Sequence, residues 1–147
     1  MYRKILIPTD GSALSRKAVK KAVRLAKEQN ARVVGFYVGP PYQLNVYADY
    51  VPPGFVSPQE YAAHVKKTAT KYLDVVKKAA QEAGVACTCA YATSAFPYME
   101  IIKAAQRNRC DLIFMASHGR RGISRLLLGS ETSKVLSHTS IPVLVHR

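Results

Sequence analysis

The sequence predicts an α/β fold: an open, doubly wound, five-stranded parallel sheet in the order 3-2-1-4-5, with helices on both faces. Two observations predict the alternation and a third the order. Short apolar, β-branched runs are separated by longer segments whose apolar residues recur every three or four positions, the pattern of strands linked by amphipathic helices. The chain has 147 residues, enough for one domain with a full core, so residues 1–147 are expected to form a single unit. The two most polar, glycine-rich turns follow the first and fourth apolar runs. For them to meet, strands one and four must be neighbours at the point where the strand order reverses.

The elements follow in order. Tyr2–Thr9 carries Ile5, Leu6 and Ile7 and reads as a buried strand, broken by Asp10-Gly11-Ser12. From Ser12 to Asn30, Leu14, Ala18, Ala22, Leu25 and Ala26 fall on one helical face. Arg32–Val38 is a second strand. Gly39 to Val56, with three Tyr, four Pro and two Gly, is a long irregular segment; Tyr42, Tyr47 and Tyr50 either cover a ligand or pack the loop onto the sheet edge or a partner subunit. Ser57-Pro58-Gln59-Glu60 starts a long helix with a capping box, and Gly84 ends it. Val85–Tyr91 is a third strand, Pro97–Asn108 a third helix, and Cys110–Ala116 contains a fourth strand. Ser130–His138 is a short helix, and Ile141–Val145 the last strand, where Pro142 suits an edge.

Composition narrows the class. Hydrophobic residues make up 48% of the chain and no apolar run reaches the length of a membrane span. The N-terminus lacks the pattern of a cleaved leader, so a cytoplasmic protein is expected. The formal charge of +13 would attract anions. Many of the cations, such as Lys66, Lys67, Lys71, Lys77 and Lys78, fall on solvent faces of helices, and no RNA-binding or zinc-finger signature accompanies them. Nucleic acid is therefore not the expected partner. Cys87 and Cys89, two apart in a strand, point to one face. They are either a weak metal or redox pair, or small side chains packed under a helix.

Chemistry concentrates in the two polar turns. The first is Pro8-Thr9-Asp10-Gly11-Ser12. The second runs from Ala116 through Ser117, His118, Gly119, Arg120, Arg121 and Gly122. Gly119 and Gly122 let backbone amides approach an anion, and Gly129-Ser130 opens a helix whose amides and dipole favour phosphate. Ser130 and Thr132 add hydroxyls; His118, Arg120, Arg121 and Arg125 add positive charge. Glu131 would repel phosphate unless its side chain faces solvent while its amide faces the ligand. Asp10 has a simpler reading as a cap for the following helix, and the glycines could merely form a turn. The four histidines, His64, His118, His138 and His146, belong to no evident catalytic set. There is no P-loop of the GxxxxGK[ST] type and no kinase signature.

The stretch from Ala116 to Ser130 resembles the nucleotide motif of the universal stress protein family: Gly, two residues, Gly, nine residues, Gly, then Ser or Thr. Gly119 and Gly129-Ser130 match, and Ala116 stands at the motif's first glycine. The opening ILIPTDGS and the closing IPVLVHR also resemble the family. The resemblance implies a homodimer paired through the last strand, whose Val143 and Val145 would otherwise lie on an open edge. It implies an ATP-binding stress-response or regulatory protein without efficient catalysis. The alternatives are a nucleotide-independent dimeric interaction module and a weak ATP hydrolase. Carried over by position, Pro8, Thr9 and Asp10 border the adenosine and Val38 meets the adenine through its backbone. Ala116, His118, Gly119, Arg120, Gly129, Ser130, Glu131 and Thr132 surround ribose and phosphates, with Mg or Mn on the phosphates.

Overall fold

The periodic runs become nine elements in chain order: β1 (Lys4–Pro8), α1 (Ala13–Gln29), β2 (Arg32–Gly39), α2 (Pro58–Ala83), β3 (Cys87–Thr93), α3 (Pro97–Arg107), β4 (Leu112–Ala116), α4 (Ser130–His138) and β5 (Val143–His146). The computed structural model describes residues 1–43, 54–120 and 127–147. Its five strands lie in the order β3-β2-β1-β4-β5, and every neighbouring pair is parallel, as the sequence predicts.

Alternation of side chains across each strand divides the core into two layers. Ile5, Ile7, Val33, Leu112, Phe114 and Ala116 face α1 and α2. Leu6, Val34, Phe36, Ile113 and Met115 face α3 and α4. β1 and β4 are central strands buried on both faces, which is why they read as unbroken apolar runs. Ile5, Leu6 and Ile7 are fully enclosed, each burial contributing about 1.5–3 kcal/mol. Ala18, Ala22 and Ala26 form the buried stripe of α1, small enough for the helix to lie close on the sheet. The five lysines of α2 assigned above to solvent are exposed. No helix among the described residues is long and apolar enough to cross a membrane.

Three strands start later than their apolar runs. Val85 is buried, but its N–H donates to Ala80 O at 2.8 Å, closing α2 behind Gly84, whose φ is +69°; β3 starts only at Cys87. At the other edge, Ile141 N–H bonds the Thr139 hydroxyl and Pro142 has no N–H to give, so β5 starts at Val143. β1 begins at Lys4, where the Asp111 carboxylate takes the N–H groups of Arg3 and Lys4 at 2.8 and 2.9 Å.

The capping box of α2 forms as predicted. Ser57 Oγ accepts from Glu60 N–H at 3.1 Å and Glu60 Oε2 accepts from Ser57 N–H at 2.8 Å. α3 has no such device of its own, since Phe96 stands at its N-cap. Its cap comes from another helix: Glu131 Oε2 accepts from Tyr98 N–H at 2.9 Å. Glu131→Ala is expected to lower stability by about 1 kcal/mol, the ordinary value of a lost cap. Urea denaturation measures it, and no loss would mean that the contact contributes nothing.

Candidate functional site

The carboxyl ends of β1 and β4 open on one crevice, and the turns that follow them are joined there. β1 ends at Pro8. Thr9 N–H continues the ladder to Phe36 O at 2.9 Å, and its hydroxyl lies 3.2 Å from that of Ser15. Gly11, with φ +75°, then swings the chain into α1. Ser12 is the N-cap, its Oγ accepting from Ser15 N–H at 3.2 Å.

Asp10 therefore does not cap α1. One of its oxygens accepts from Ser12 N–H at 3.0 Å, inside the turn. The other accepts from Arg120 N–H at 2.9 Å, and Arg120 Nε donates back to Asp10 O at 2.9 Å. The two turns are clasped across 110 positions of sequence. Burial pushes the Asp10 carboxyl up, but hydrogen bonds from the Ser12 side chain and backbone and from Arg120 outweigh it and hold it below the ordinary carboxylate value. It is an anion at neutral pH. Gly119 has no room for a side chain, because a Cβ would stand 2.2 Å from the Asp10 carboxylate.

Tyr72 of α2 forms a second support that its helical spacing does not reveal. Its ring lies where a Gly11 side chain would be, 2.3 Å from an added Cβ. The Arg120 guanidinium sits over it at 5.1 Å, and Tyr37 meets it edge-on at 5.3 Å. The sequence marks Tyr72 only as an apolar position of α2. The positive charge of Arg120 is likewise committed to the Asp10 turn and the Tyr72 ring.

Beyond β4 the chain is held from both sides. Ser117 N–H donates to His146 O of β5 at 2.7 Å, and Ser117 O accepts from Gly129 N–H at 2.7 Å. His118 lies half-buried with Nδ1 3.2 Å from the Ser117 hydroxyl. Gly129 is the N-cap of α4 and brings no capping side chain. The first intrahelical bond is Ser133 N–H to Gly129 O, so the amides of Ser130, Glu131 and Thr132 precede the helix's own ladder and face its open end. A Cβ on Gly129 would lie 3.0 Å from His118 Cα.

Two side chains depart from expectation. The Thr132 hydroxyl is buried and donates to Ala116 O at 2.9 Å, so it secures α4 to β4 and is not a spare donor. The Glu131 carboxylate turns from the helix mouth to cap α3, with Lys134 3.5 Å away, instead of standing free in solvent. Ser130 is exposed at the helix entrance.

Val38 and Ala116 gain a physical reading. Phe36 O bonds toward β1, and Gly39 O accepts from Ser94 N–H beyond β3. By the two-residue alternation of a strand, the peptide groups of Val38 face the β1 side, past the point where β1 ends. Ala116 continues the row of Leu112 and Phe114, so its methyl packs in the α1 layer and not in the crevice. Ala116→Gly is expected to change nucleotide affinity by less than about twofold while costing about 1 kcal/mol of stability. Calorimetric titration and chemical denaturation measure the two; a large gain in affinity would mean that the methyl obstructs the site.

Of the tyrosines in the long Tyr/Pro segment, Tyr42 is described: it donates to Val56 O at 2.6 Å and packs on Tyr61 of α2 at 5.4 Å. A depression of about 380 Å³ beside it, lined by Tyr61 and Tyr91 among others, lies at the carboxyl end of β3, on the same edge of the sheet as the crevice. Tyr47, Tyr50, Arg121, Gly122 and Arg125 lie outside the described residues. Among the described residues, no cluster of three His, Cys, Asp or Glu could hold a metal ion.

The sequence model of the universal stress protein family matches residues 1–147. The chain belongs to this family. It is similar to universal stress protein MJ0531 of Methanocaldococcus jannaschii, 36% identical over 145 residues, covering 99% of this chain and 82% of that protein. It is equally similar to universal stress protein YxiE of Bacillus subtilis, 36% identical over 151 residues and covering 100% of both. Among solved structures, hypothetical protein MJ0577 superposes with a TM-score of 0.78 at 25% identity, covering 99% of this chain and 95% of that one. A universal stress protein in complex with cAMP (TM-score 0.69, 21% identity, covering 99% of this chain and 97% of that one) has the same fold. So does the Archaeoglobus fulgidus universal stress protein in complex with dAMP (TM-score 0.67, 16% identity, covering 99% and 98%).

Proposed function

We propose that this universal stress protein chain is a single nucleotide-binding domain that takes ATP in the β1–β4 crevice and acts as a cytoplasmic stress-response regulator, not as an efficient catalyst. The observation that carries the reading is the junction itself: the clasped Asp10 and Arg120 turns beside the uncapped entrance of α4. An anionic tail would meet the amides of Ser130, Glu131 and Thr132 and the dipole of α4. Gly119 and Gly129 leave it a backbone surface, and the Ser130 hydroxyl and His118 flank it. The peptide edge of Val38 offers a donor and an acceptor to a flat heterocycle, with Pro8, Thr9 and Asp10 bordering the sugar. The cAMP and dAMP carried by two neighbours support an adenine base.

A divalent ion fits this site only as a passenger of the ligand. Both Asp10 oxygens are engaged by backbone N–H groups. Mg or Mn would be held by the phosphates and water, where it would neutralise their charge. Ala116 gives no ground for a nucleotide-independent role, because its methyl is in the core.

The test is denaturing mass spectrometry of the purified protein for co-purifying adenine nucleotide, followed by calorimetric titration of ATP with Mg²⁺. Stoichiometric binding is expected; none at millimolar ATP removes the assignment. Turnover assays with Mg²⁺ or Mn²⁺ are expected to show slow hydrolysis at most. β5 has one paired side, and Leu144 is exposed on it. A homodimer through this strand is expected, and a monomeric mass by light scattering at micromolar concentration would count against it.

A further inference from the structure

Half of the chain's Lys and Arg residues stand on α1 and α2, and the nucleotide site does not account for them. α1 carries Arg16, Lys17, Lys20, Lys21, Arg24 and Lys27, all exposed, and one acid, Glu28. The six cations fall within about 140° of the helix circumference, opposite its buried stripe, over about 16 Å of its length. Among the described residues Arg24 alone of the six has an ion-pair partner, Glu28 at 3.0 Å. α2 lies beside α1 on the same face of the sheet and adds its five exposed lysines. On the opposite face the Lys and Arg residues of α3 and α4 are Lys103, Arg107 and Lys134. Two of these are paired, with Glu100 at 3.2 Å and Glu131 at 3.5 Å.

The pattern on α1 works against the helix that carries it. Arg16–Lys20, Lys17–Lys21 and Lys20–Arg24 each stand four residues apart, where like charges destabilise a helix. Its first turn holds no acid to complement the helix dipole. α2 shows the ordinary solution for a solvated face: Lys71, Asp74, Lys78 and Glu82 alternate in sign at helical spacing. Either pattern keeps a chain soluble. Only that of α1 is relieved by a polyanion brought from outside.

We infer that the face formed by α1 and α2 is a docking surface for a phospholipid bilayer with anionic headgroups. A bilayer is flat and meets the outward cations of both helices at once. A nucleic acid fits less well. α1 has no aromatic side chain on which a base could stack, and it lies flat on the sheet with α2 alongside instead of projecting as a groove-reading helix does. No large apolar side chain is exposed on α1. Contact is therefore with the headgroups, without insertion, and salt reverses it. The crevice opens on the carboxyl edge of the sheet, so it stays accessible while this face is docked.

The test is co-sedimentation of the full chain with phosphatidylcholine vesicles containing about 30 mol% phosphatidylserine, at about 0.1 M salt. The parent is expected to pellet with these vesicles, to stay in solution with pure phosphatidylcholine, and to be released at about 0.5 M salt. Lys17→Gln/Lys20→Gln/Lys21→Gln should bind at least about tenfold more weakly. Lys103→Gln/Arg107→Gln/Arg109→Gln removes the same charge from α3 and the turn after it, and should bind within about threefold of the parent. Circular dichroism checks the fold of both. A readout on the parent needs no variant: vesicles should protect Lys17, Lys20 and Lys21 from acetylation more than Lys103, as read by peptide mass spectrometry. Absence of binding by the parent, equal losses in the two variants, or α1 lysines acetylated alike with and without vesicles each overturns the inference. So does release from the vesicles by duplex DNA at equal phosphate concentration, which would assign the face to nucleic acid.

Discussion

Gly129→Val is expected to lower ATP affinity by about thirtyfold or more, roughly 2 kcal/mol, with the far-UV circular dichroism of the fold retained. The effect has two sources. A Cβ at this position would stand 3.0 Å from His118 Cα and 3.1 Å from Ser117 O, so the turn after β4 must move away from the helix entrance. The added branches of valine then occupy ground next to the first amides of α4, where the phosphates are proposed to lie. Neither source touches the two apolar layers, so the domain should still fold. Ser130→Ala makes a useful companion. It removes one exposed hydroxyl and no backbone donor, and about a tenfold loss is expected if that hydroxyl bonds a charged oxygen. Calorimetric titration of ATP measures both. Unchanged binding by Gly129→Val would place the nucleotide elsewhere.

Gly11→Ala is expected to be the more damaging substitution for the fold, costing about 2–4 kcal/mol. Gly11 has φ +75°, where an L side chain is strained by about 1 kcal/mol. The added methyl would also lie 2.3–2.6 Å from three atoms of the Tyr72 ring, and overpacking of this kind costs about 1–3 kcal/mol more. A fall in melting temperature of about 4–16 °C follows for a chain of this size. Tyr72→Ala in the same background relieves the clash and isolates its share. If Gly11→Ala melts like the parent, the ring does not rest on the turn.

The two substitutions also show where sequence reasoning ends. The order of β1 to β5 could be read because each strand and helix announces itself locally. Ile5-Leu6-Ile7 is apolar without a break, Ser57-Pro58-Gln59-Glu60 is a cap, and Gly84 is a stop. The two reactive turns could be placed at one crevice because the order of parallel strands leaves them little choice. Tyr72 could not be placed there. It is separated from Gly11 by the whole of α1 and β2 and the first half of α2, and the contact depends on how far α2 rotates over the sheet. The partners of Arg120, Glu131 and Thr132 were hidden for the same reason. A charge or hydroxyl near a motif looks available until the structure shows which backbone group has taken it. β3 was the least legible strand. As an edge strand it is half-exposed, and its sequence, Cys87–Thr93, lacks the long apolar run of β1.

Through Ser117, the opening of α4 depends on an edge strand. The Ser117 N–H is held by His146 O and its C=O by Gly129 N–H, each at 2.7 Å. His146 thus supports the entrance of α4 from the edge strand β5. A change that pulls His146 from its ladder releases one side of Ser117 and, through it, the glycine that opens α4.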